Sequence, residues 1–252
     1  MNIGALLLTL GVGLFIVIGA VIVFVTKNNE KIINLSISMA FGVMIALVFS
    51  ELIPEAFELM ENNNRSLTIL TVIVFSGLGV LLLKCLDMFV PHHEHNHHDK
   101  HGDLENLEHI GLVSSVALVI HNIIEGMALY GTALSSINLG LMLCIGIGLH
   151  NIPMGLVIAS TFYKSNKNKT KTLLITTGIS LSTFLGGILM AILNNNVIND
   201  FILGVLVCIT LGMIVYIALF ELLSKMLCSK DKKTVIFGTS LGILILFISS
   251  LF

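Results

Sequence analysis

The sequence contains few charged residues, few aromatic residues and no tryptophan. Charged side chains make up 11% of the 252 residues, whereas hydrophobic side chains make up 56%. A soluble domain of this length needs more polar surface, so the composition excludes a soluble globular protein. The net charge of -2 reflects no excess of basic residues and gives no indication of nucleic-acid binding.

Cysteine is also scarce, and its four copies are scattered through mostly apolar segments. This distribution predicts small buried hydrophobic side chains and indicates neither a disulfide framework nor a Cys-x-x-Cys metal site. The first apolar segment has no preceding lysine or arginine and no obvious cleavage site. We therefore expect a retained span there and not a signal peptide.

Apolar segments of about twenty residues, the length that crosses a bilayer as a helix, recur along the whole chain. They predict an all-α, polytopic membrane protein in which residues 1–252 form a single transmembrane domain. The eight predicted transmembrane helices cover residues 3–25, 32–53, 67–90, 110–135, 138–162, 172–193, 199–224 and 234–252.

The basic residues are segregated between the loops that this arrangement creates. Alternate loops carry twelve of the thirteen basic residues, and the opposite loops carry only Arg65. Basic residues concentrate in the cytoplasmic loops of membrane proteins. We therefore expect a multi-pass protein of the cell (plasma or inner) membrane with both termini outside the cytoplasm.

Polar residues interrupt the fourth predicted span at His121, Asn122 and Glu125. Separations of three and four residues place all three side chains on one side of a helix. A carboxylate at this depth is costly and usually faces a bundle interior, a partner or a water-filled path. The alternative is a structural hydrogen-bond network between helices.

The same pattern, His-Asn-Ile-x-x-Gly, recurs in the fifth span at His150 and Asn151. A short turn joins the two spans, so we expect them to pack antiparallel with both motifs at similar depth. His121, Glu125, His150 and Met154 can then surround one point. Two imidazoles, a carboxylate and a thioether suit a borderline-soft divalent ion such as zinc or iron(II).

Six of the nine histidines cluster outside the spans, in a predicted His-rich cytoplasmic loop over residues 91–108. Such a tract binds zinc-like ions readily but loosely, because the chain around it is flexible. We interpret it as an auxiliary metal buffer or sensor, separate from the intramembrane site. Its histidines are His92, His93, His95, His97, His98 and His101.

Three glutamates near the ends of predicted spans are candidates for an entrance or an exit. Glu51 and Glu55 lie at helical spacing near the outer end of the second span, where they could attract cations or form an ordinary solvated helix end. Glu221 lies one turn before Lys225 at the cytoplasmic end of the seventh span. There a snorkelling ion pair is the alternative to a metal ligand.

These features together resemble the ZIP (Zrt-, Irt-like) divalent-metal transporters, and especially their bacterial, zinc-importer-like branch. The shared features are eight spans, outside termini, a His-rich loop between spans three and four, and the paired His-Asn motifs. The Leu-Ile-Pro-Glu-Ala segment from Leu52 to Ala56 is also similar to the family.

The resemblance implies uptake of Zn²⁺, Fe²⁺ or Mn²⁺-like ions toward the cytoplasm, often by a homodimer, with no catalytic cofactor. It also implies that spans one, four, five and six form a moving bundle, which carries metal past a scaffold of spans two, three, seven and eight. The first metal site that it implies is His121, Glu125, His150 and Met154. The second would involve Asn122, Glu125, Asn151 and Met154.

Two positions depart from the family's pattern, and both losses fall on the second site. The fifth span usually has glutamate where this chain has Met154, and the sixth span often has glutamate near the position of Thr183. The departures argue against a paired-metal centre and leave Glu125 as the only acid at its core. Fewer carboxylates should weaken Mn²⁺ relative to zinc, because hard ions prefer oxygen ligands.

The sequence therefore predicts a divalent-metal importer that is not an enzyme, with zinc as the favoured ion. The alternatives are metal efflux, a transport-impaired metal sensor and an intramembrane zinc hydrolase. A hydrolase needs a general base besides its metal ligands. With Glu125 bound to the metal, the spans offer no obvious second carboxylate for that role.

Overall fold

The computed structural model describes residues 2–26, 30–89, 100–197 and 200–251, and within these ranges the chain forms helices and no strand. Six spans are single α-helices: span one is Ile3–Val25, span three Arg65–Phe89, span four Lys100–Ser135, span five Ile137–Asn166, span six Lys169–Val197 and span eight Lys232–Ser249. Span two consists of Glu30–Leu47, a π-helical turn at Val48–Leu52, and Ile53–Leu59. Span seven likewise consists of Asp200–Tyr216, a π-helical turn at Ile217–Leu222, and Leu223–Cys228.

All eight spans are long and apolar enough to cross a membrane, which confirms the predicted all-α, multi-pass architecture. The membrane span of span four, His109–Leu134, agrees with the predicted 110–135, and its helix extends beyond that span to begin at Lys100. The last part of the predicted His-rich loop, including the backbone of His101, is therefore helical. The other five histidines of that tract, from His92 to His98, lie outside the described residues.

Glycines bring the backbones of spans one, four, five and six close together. A Cβ atom added at Gly155 of span five would clash with the carbonyl oxygen of Ile16 in span one. One added at Gly126 of span four would clash with the carbonyl oxygen of Thr183 in span six. Because lipid is as apolar as leucine, such close packing is a main source of helix association in membranes.

A second set of glycine contacts joins spans two and eight, and spans three and seven. A Cβ atom at Gly42 would clash with the carbonyl oxygen of Thr239, and one at Gly212 with the carbonyl oxygen of Ser76. None of these approaches crosses between the two sets, which are instead joined through side chains of the main apolar core. The packing thus divides the spans along the line between bundle and scaffold that the resemblance implies.

The π-helical turn of span two has a cause in the sequence. Pro54 has no backbone N–H, and its ring crowds the carbonyl four residues earlier, at Ser50, so regular α-helical bonding cannot continue through that turn. A π turn accommodates one extra residue at such a point. Glu51 lies in this turn, and Glu221 lies in the corresponding turn of span seven, where no proline is present.

Span eight begins at an N-cap that the sequence specifies. Asp231 accepts hydrogen bonds from the backbone N–H of Thr234 at 3.1 Å and from the Thr234 hydroxyl at 2.6 Å. Both donors favour the ionised carboxylate and hold the pKa of Asp231 below its usual value. The cap fixes the start of span eight at the end of the bundle that carries the basic loops.

Substitution of a close-contact glycine should destabilise the bundle. In Gly155→Ala, the added methyl group meets the span-one backbone, so we expect a loss of about 1–3 kcal/mol in the free energy of unfolding. Gly178 lies in span six with open space around it, and Gly178→Ala is the matched control. The control should be neutral or stabilising by up to about 1 kcal/mol, because alanine favours the helix. Thermal unfolding in detergent measures both variants, and equal melting temperatures would contradict this packing.

Candidate metal site

Three predicted ligands, His121, Glu125 and His150, converge between spans four and five. Glu125 Oε1 lies 3.0 Å from Nε2 of His121 and 2.8 Å from Nε2 of His150. The contact with His150 is an aligned hydrogen bond, whereas the contact with His121 is close but not aligned for one. The carboxylate therefore holds together two imidazoles from two different helices.

The placement follows from helix geometry. His121 and Glu125 are one turn apart on span four, and the turn at Ser136 reverses the chain so that His150 returns at the same depth. The two imidazole rings lie 6.5 Å apart between centroids. His121 is 3% exposed and His150 is 1% exposed, so both are in the interior of the bundle.

These three side chains have the spacing of a metal site. Each offers one ligand atom, and the three atoms lie within 4.8 Å of one another. Nitrogen and oxygen ligands bind zinc at about 2.0–2.2 Å, which lets one ion contact all three atoms after small adjustments. Two imidazoles and one carboxylate are ligands that zinc accepts readily.

The two asparagines and Thr183 are buried polar residues on spans four, five and six. Asn122 Nδ2 donates a 3.5 Å hydrogen bond to the backbone carbonyl of Ile179 in span six. Asn122 Oδ1, both amide atoms of Asn151 and the hydroxyl of Thr183 have no hydrogen-bond partner among the described residues. Buried polar atoms are normally satisfied, so these groups are available to water or to a cation.

Met154 is fully buried on span five, one turn after His150. Its spacing puts it on the same side of the helix as His150, and it also belongs to the main apolar core. The structure thus agrees with both interpretations of this residue, a thioether ligand and a core side chain. Its role as a ligand stays a prediction.

A cleft of about 280 Å³ leads from this site to one end of the bundle. His121 and Glu125 line its inner part, and Glu51 and Glu55 of span two line its side. Thr132, near the end of span four, also lines it, which shows that the cleft reaches toward the end opposite the basic loops. Two of the three predicted entrance or exit glutamates therefore line the same cleft as His121 and Glu125.

The third glutamate, Glu221, lies in a different group at the other end of the bundle. His109 Nε2 is 2.6 Å from Asp87 Oδ1 and 3.8 Å from Glu221 Oε1. Asp87 and His109 had not been predicted as site residues. A sequence signal existed, because Asp87 ends span three and His109 precedes the apolar part of span four, on either side of the same loop.

Comparison with known proteins gives one consistent result. A family model described as "ZIP Zinc transporter" matches residues 84–250. The zinc transporter ZupT of Streptococcus mutans is 31% identical over 255 residues, covering 98% of this chain and 96% of that protein. The zinc transporter ZupT of Clostridium perfringens is 30% identical, covering 98% of this chain and 95% of that protein. The chain therefore belongs to the ZIP family, whose members are divalent-metal transporters and not enzymes.

Proposed function

We propose that this protein imports divalent metal, with zinc as the main ion, and that the ion binds between spans four and five. The observation that carries the proposal is the contact of one Glu125 oxygen with Nε2 of both His121 and His150. An isolated carboxylate at this depth is costly, so its retention beside two imidazoles favours a cation-binding role over a packing role. The zinc transport named for the relatives supports the same ion here.

The open end of the cleft supports the inward direction. It lies at the end of the bundle whose loops carry only Arg65, and the positive-inside rule places that end outside the cytoplasm. Glu51 and Glu55 are partly exposed along the cleft and raise the local concentration of cations. A metal ion arriving from outside therefore meets two carboxylates before it reaches Glu125.

The packing supports movement of the site as a unit. His121, Glu125 and His150 all lie on spans four and five, which contact spans one and six backbone to backbone at glycines. No glycine that the structure describes in spans four and five makes such a close approach to spans two, three, seven or eight, and the apolar core joins them there. Contacts of this kind can slide more easily than interlocked backbones. Such an arrangement favours alternating access, in which one rigid bundle moves against another around a fixed site.

Removal of the Glu125 charge should abolish uptake. Glu125→Gln keeps the shape of the side chain but removes the site's only carboxylate, so the ion loses its charged ligand. Loss of a single outer-shell partner already costs about 10–100-fold in metal affinity, and we expect at least that reduction in zinc uptake. Uptake into liposomes containing the purified protein and an internal zinc dye measures the effect.

The matched control for this variant is Glu61→Gln, at an exposed position beyond the end of span two. It makes the same chemical change outside the cleft and should transport zinc at the wild-type rate. Near-normal zinc uptake by Glu125→Gln would contradict the assignment of the metal site. Zinc release from preloaded vesicles, with little uptake under the opposite gradient, would indicate efflux instead of import.

The role of Met154 can be tested by introducing a negative charge at its position. If its thioether faces the ion, Met154→Glu adds a second negative, hard ligand and should raise manganese affinity more than zinc affinity. Tighter binding should also slow release, because transport requires binding that is not too strong. Met154→Leu removes the thioether at similar volume and is the control for packing. Competition between zinc and manganese in uptake assays decides the question, and an unchanged preference in Met154→Glu would place Met154 in the core alone.

The acidic side of the cleft should act on the rate of ion capture. In the double variant Glu51→Gln/Glu55→Gln, we expect a several-fold higher KM for zinc with a nearly unchanged maximal rate. The difference in KM between this variant and the wild type should shrink as ionic strength rises. At 0.1 M, salt screens electrostatic attraction between charges more than about 10 Å apart. The control is Glu58→Gln/Glu61→Gln, at the same end but outside this cleft. A KM shift as large in the control would mean that the whole surface, and not the cleft, attracts the ion.

The homodimer, the inner-membrane location and the buffering role of the His-rich tract stay predictions.

A further inference from the structure

We propose that Thr210 of span seven is a specificity-determining residue, whose hydroxyl binds a water molecule of the arriving ion as that ion passes from the cleft to the intramembrane site. The inference rests on the proposed function, because it concerns the same cleft and the same ion. Three features of Thr210 support it, namely a buried hydroxyl without a partner, a place on the wall of the cleft, and a depth that matches that of Glu125.

Hydroxyl groups on these apolar helices usually form hydrogen bonds within their own helix. A serine or threonine hydroxyl can donate to the backbone carbonyl three or four residues earlier, which satisfies it without any outside partner. The buried hydroxyls that bond in this way are those of Thr9, Ser36, Ser38, Ser160, Thr161, Thr176, Ser180, Ser182 and Ser249. A buried hydroxyl that departs from this rule therefore calls for a separate explanation.

Thr210 is an exception to this rule. It is 1% exposed, and its hydroxyl oxygen has no hydrogen-bond partner among the described residues. Ser114 and Thr183 share this property, but they lie on spans four and six, and neither is among the described residues that line the cleft. A threonine in a helix can choose between two side-chain conformations, one of which bonds the backbone. The conformation of Thr210 leaves its hydroxyl available to a polar species in the cleft.

Thr210 lies on the scaffold side of the cleft that His121 and Glu125 also line. The described lining residues on that side come from spans two and seven, and they are Glu51, Leu52, Glu55, Val207 and Thr210. Two of these five are acids and two are aliphatic. Thr210 is therefore the one neutral polar side chain that the described part of the scaffold offers to the cleft.

Thr210 and Glu125 lie at similar depth. Thr210 is ten residues from the start of span seven at Asp200, and Glu125 is ten residues from the end of span four at Ser135. Both helix ends are at the end of the bundle opposite the basic loops, so each side chain is about 15 Å along its helix from that end. An ion that approaches Glu125 through the cleft therefore passes the level of Thr210.

An ion in the cleft still carries much of its hydration shell. The volume of about 280 Å³ leaves room for the ion with several water molecules, whereas the proposed intramembrane site offers two imidazoles and one carboxylate in their place. Water bound to a divalent cation is a strong hydrogen-bond donor, and the threonine oxygen can accept from it. A water-mediated contact is nearly as favourable as a direct one. The Thr210 hydroxyl therefore offsets part of the hydration that the ion loses.

The contact matters more for hard ions than for zinc. Zinc binds imidazole readily, so His121 and His150 compensate for most of the water that it loses. Manganese prefers oxygen ligands and gains less from imidazole. With Glu125 as the only carboxylate of the proposed site, one more neutral oxygen contact changes the balance most for manganese. Thr210 thus widens the range of ions that the protein accepts.

The first test separates the hydroxyl from the shape of the side chain. Thr210→Val removes the hydroxyl and keeps the branched shape, whereas Thr210→Ser retains the hydroxyl. Uptake of labelled zinc and manganese is measured in liposomes containing the full-length protein. We expect kcat/KM for zinc to fall several-fold in Thr210→Val, the value for manganese to fall further, and Thr210→Ser to restore both. Because Thr210 carries no charge, the loss should be the same at low and high ionic strength.

The matched control is Thr176→Val on span six. The Thr176 hydroxyl is also buried, but it donates a 2.6 Å hydrogen bond to the carbonyl of Thr172. The control should lower the melting temperature slightly and leave uptake unchanged. Thr210→Val should keep or raise the melting temperature, because it removes a buried hydroxyl without a partner. A lower melting temperature of Thr210→Val, with a loss of uptake that Thr210→Ser does not restore, would show a structural role and overturn the proposal.

The second test follows zinc binding without transport. Purified protein in detergent is mixed rapidly with zinc and a zinc-sensitive dye, and the decrease in free zinc is recorded. The phase that is absent from His121→Ala/His150→Ala belongs to the intramembrane site, and it should be several-fold slower in Thr210→Val than in the wild type. Equal rates of this phase, or wild-type uptake of both ions by Thr210→Val, overturn the proposal. Failure of the wild type to import zinc contradicts the proposed function instead, and the binding rates still decide the role of Thr210.

Discussion

The burial of Glu125 is the constraint on which the arrangement of the helices depends. A carboxylate in the middle of a membrane bundle requires partners of opposite or complementary charge, and the loss of one partner of a buried charge typically costs about 3–5 kcal/mol. Its two partners, His121 and His150, come from different helices, so spans four and five must hold a fixed register. The glycine contacts of both spans with spans one and six provide that register without filling the interior with large side chains.

The two π-helical turns also place glutamate side chains inside the bundle, at depths other than that of Glu125. Each inserts an extra residue into a turn, which rotates the helix that follows by about 100° relative to a regular α-helix. In span two the turn contains Glu51, which lines the cleft, and in span seven it contains Glu221, which faces His109. Both glutamates interrupt apolar helices, and the irregular turns direct them into the protein interior and away from lipid. Acidic side chains can then line a route through a bundle whose outer surface remains apolar.

The sequence predicted what depends on local spacing. Hydrophobic length gave the number of spans, and the repeated His-Asn-Ile-x-x-Gly pattern on neighbouring antiparallel helices predicted that His121, Glu125 and His150 meet. The group of Asp87, His109 and Glu221 was missed because its members come from three spans and share no motif, so only the tertiary packing brings them together. The π turn at Pro54 could have been inferred from the proline, whereas the turn around Glu221 has no local signal. The start of the membrane span in span four was predicted within one residue, whereas the extension of its helix back to Lys100 was not, because the residues after Lys100 are polar and lie outside the apolar segment.

The distribution of acids along the bundle bears on how an ion could pass through the protein. Glu51 and Glu55 border the cleft, Glu125 stands alone at the intramembrane site, and Asp87 and Glu221 stand together at the far end. With the neutral side chains of Met154 and Thr183 on the neighbouring turns, the proposed central site would neutralise only half the charge of a divalent ion. An ion bound there would keep a net positive charge and would be attracted to the carboxylates on either side. A central site of low charge between sites of higher charge favours exchange over retention, because conduction and transport both require an ion to leave as readily as it enters.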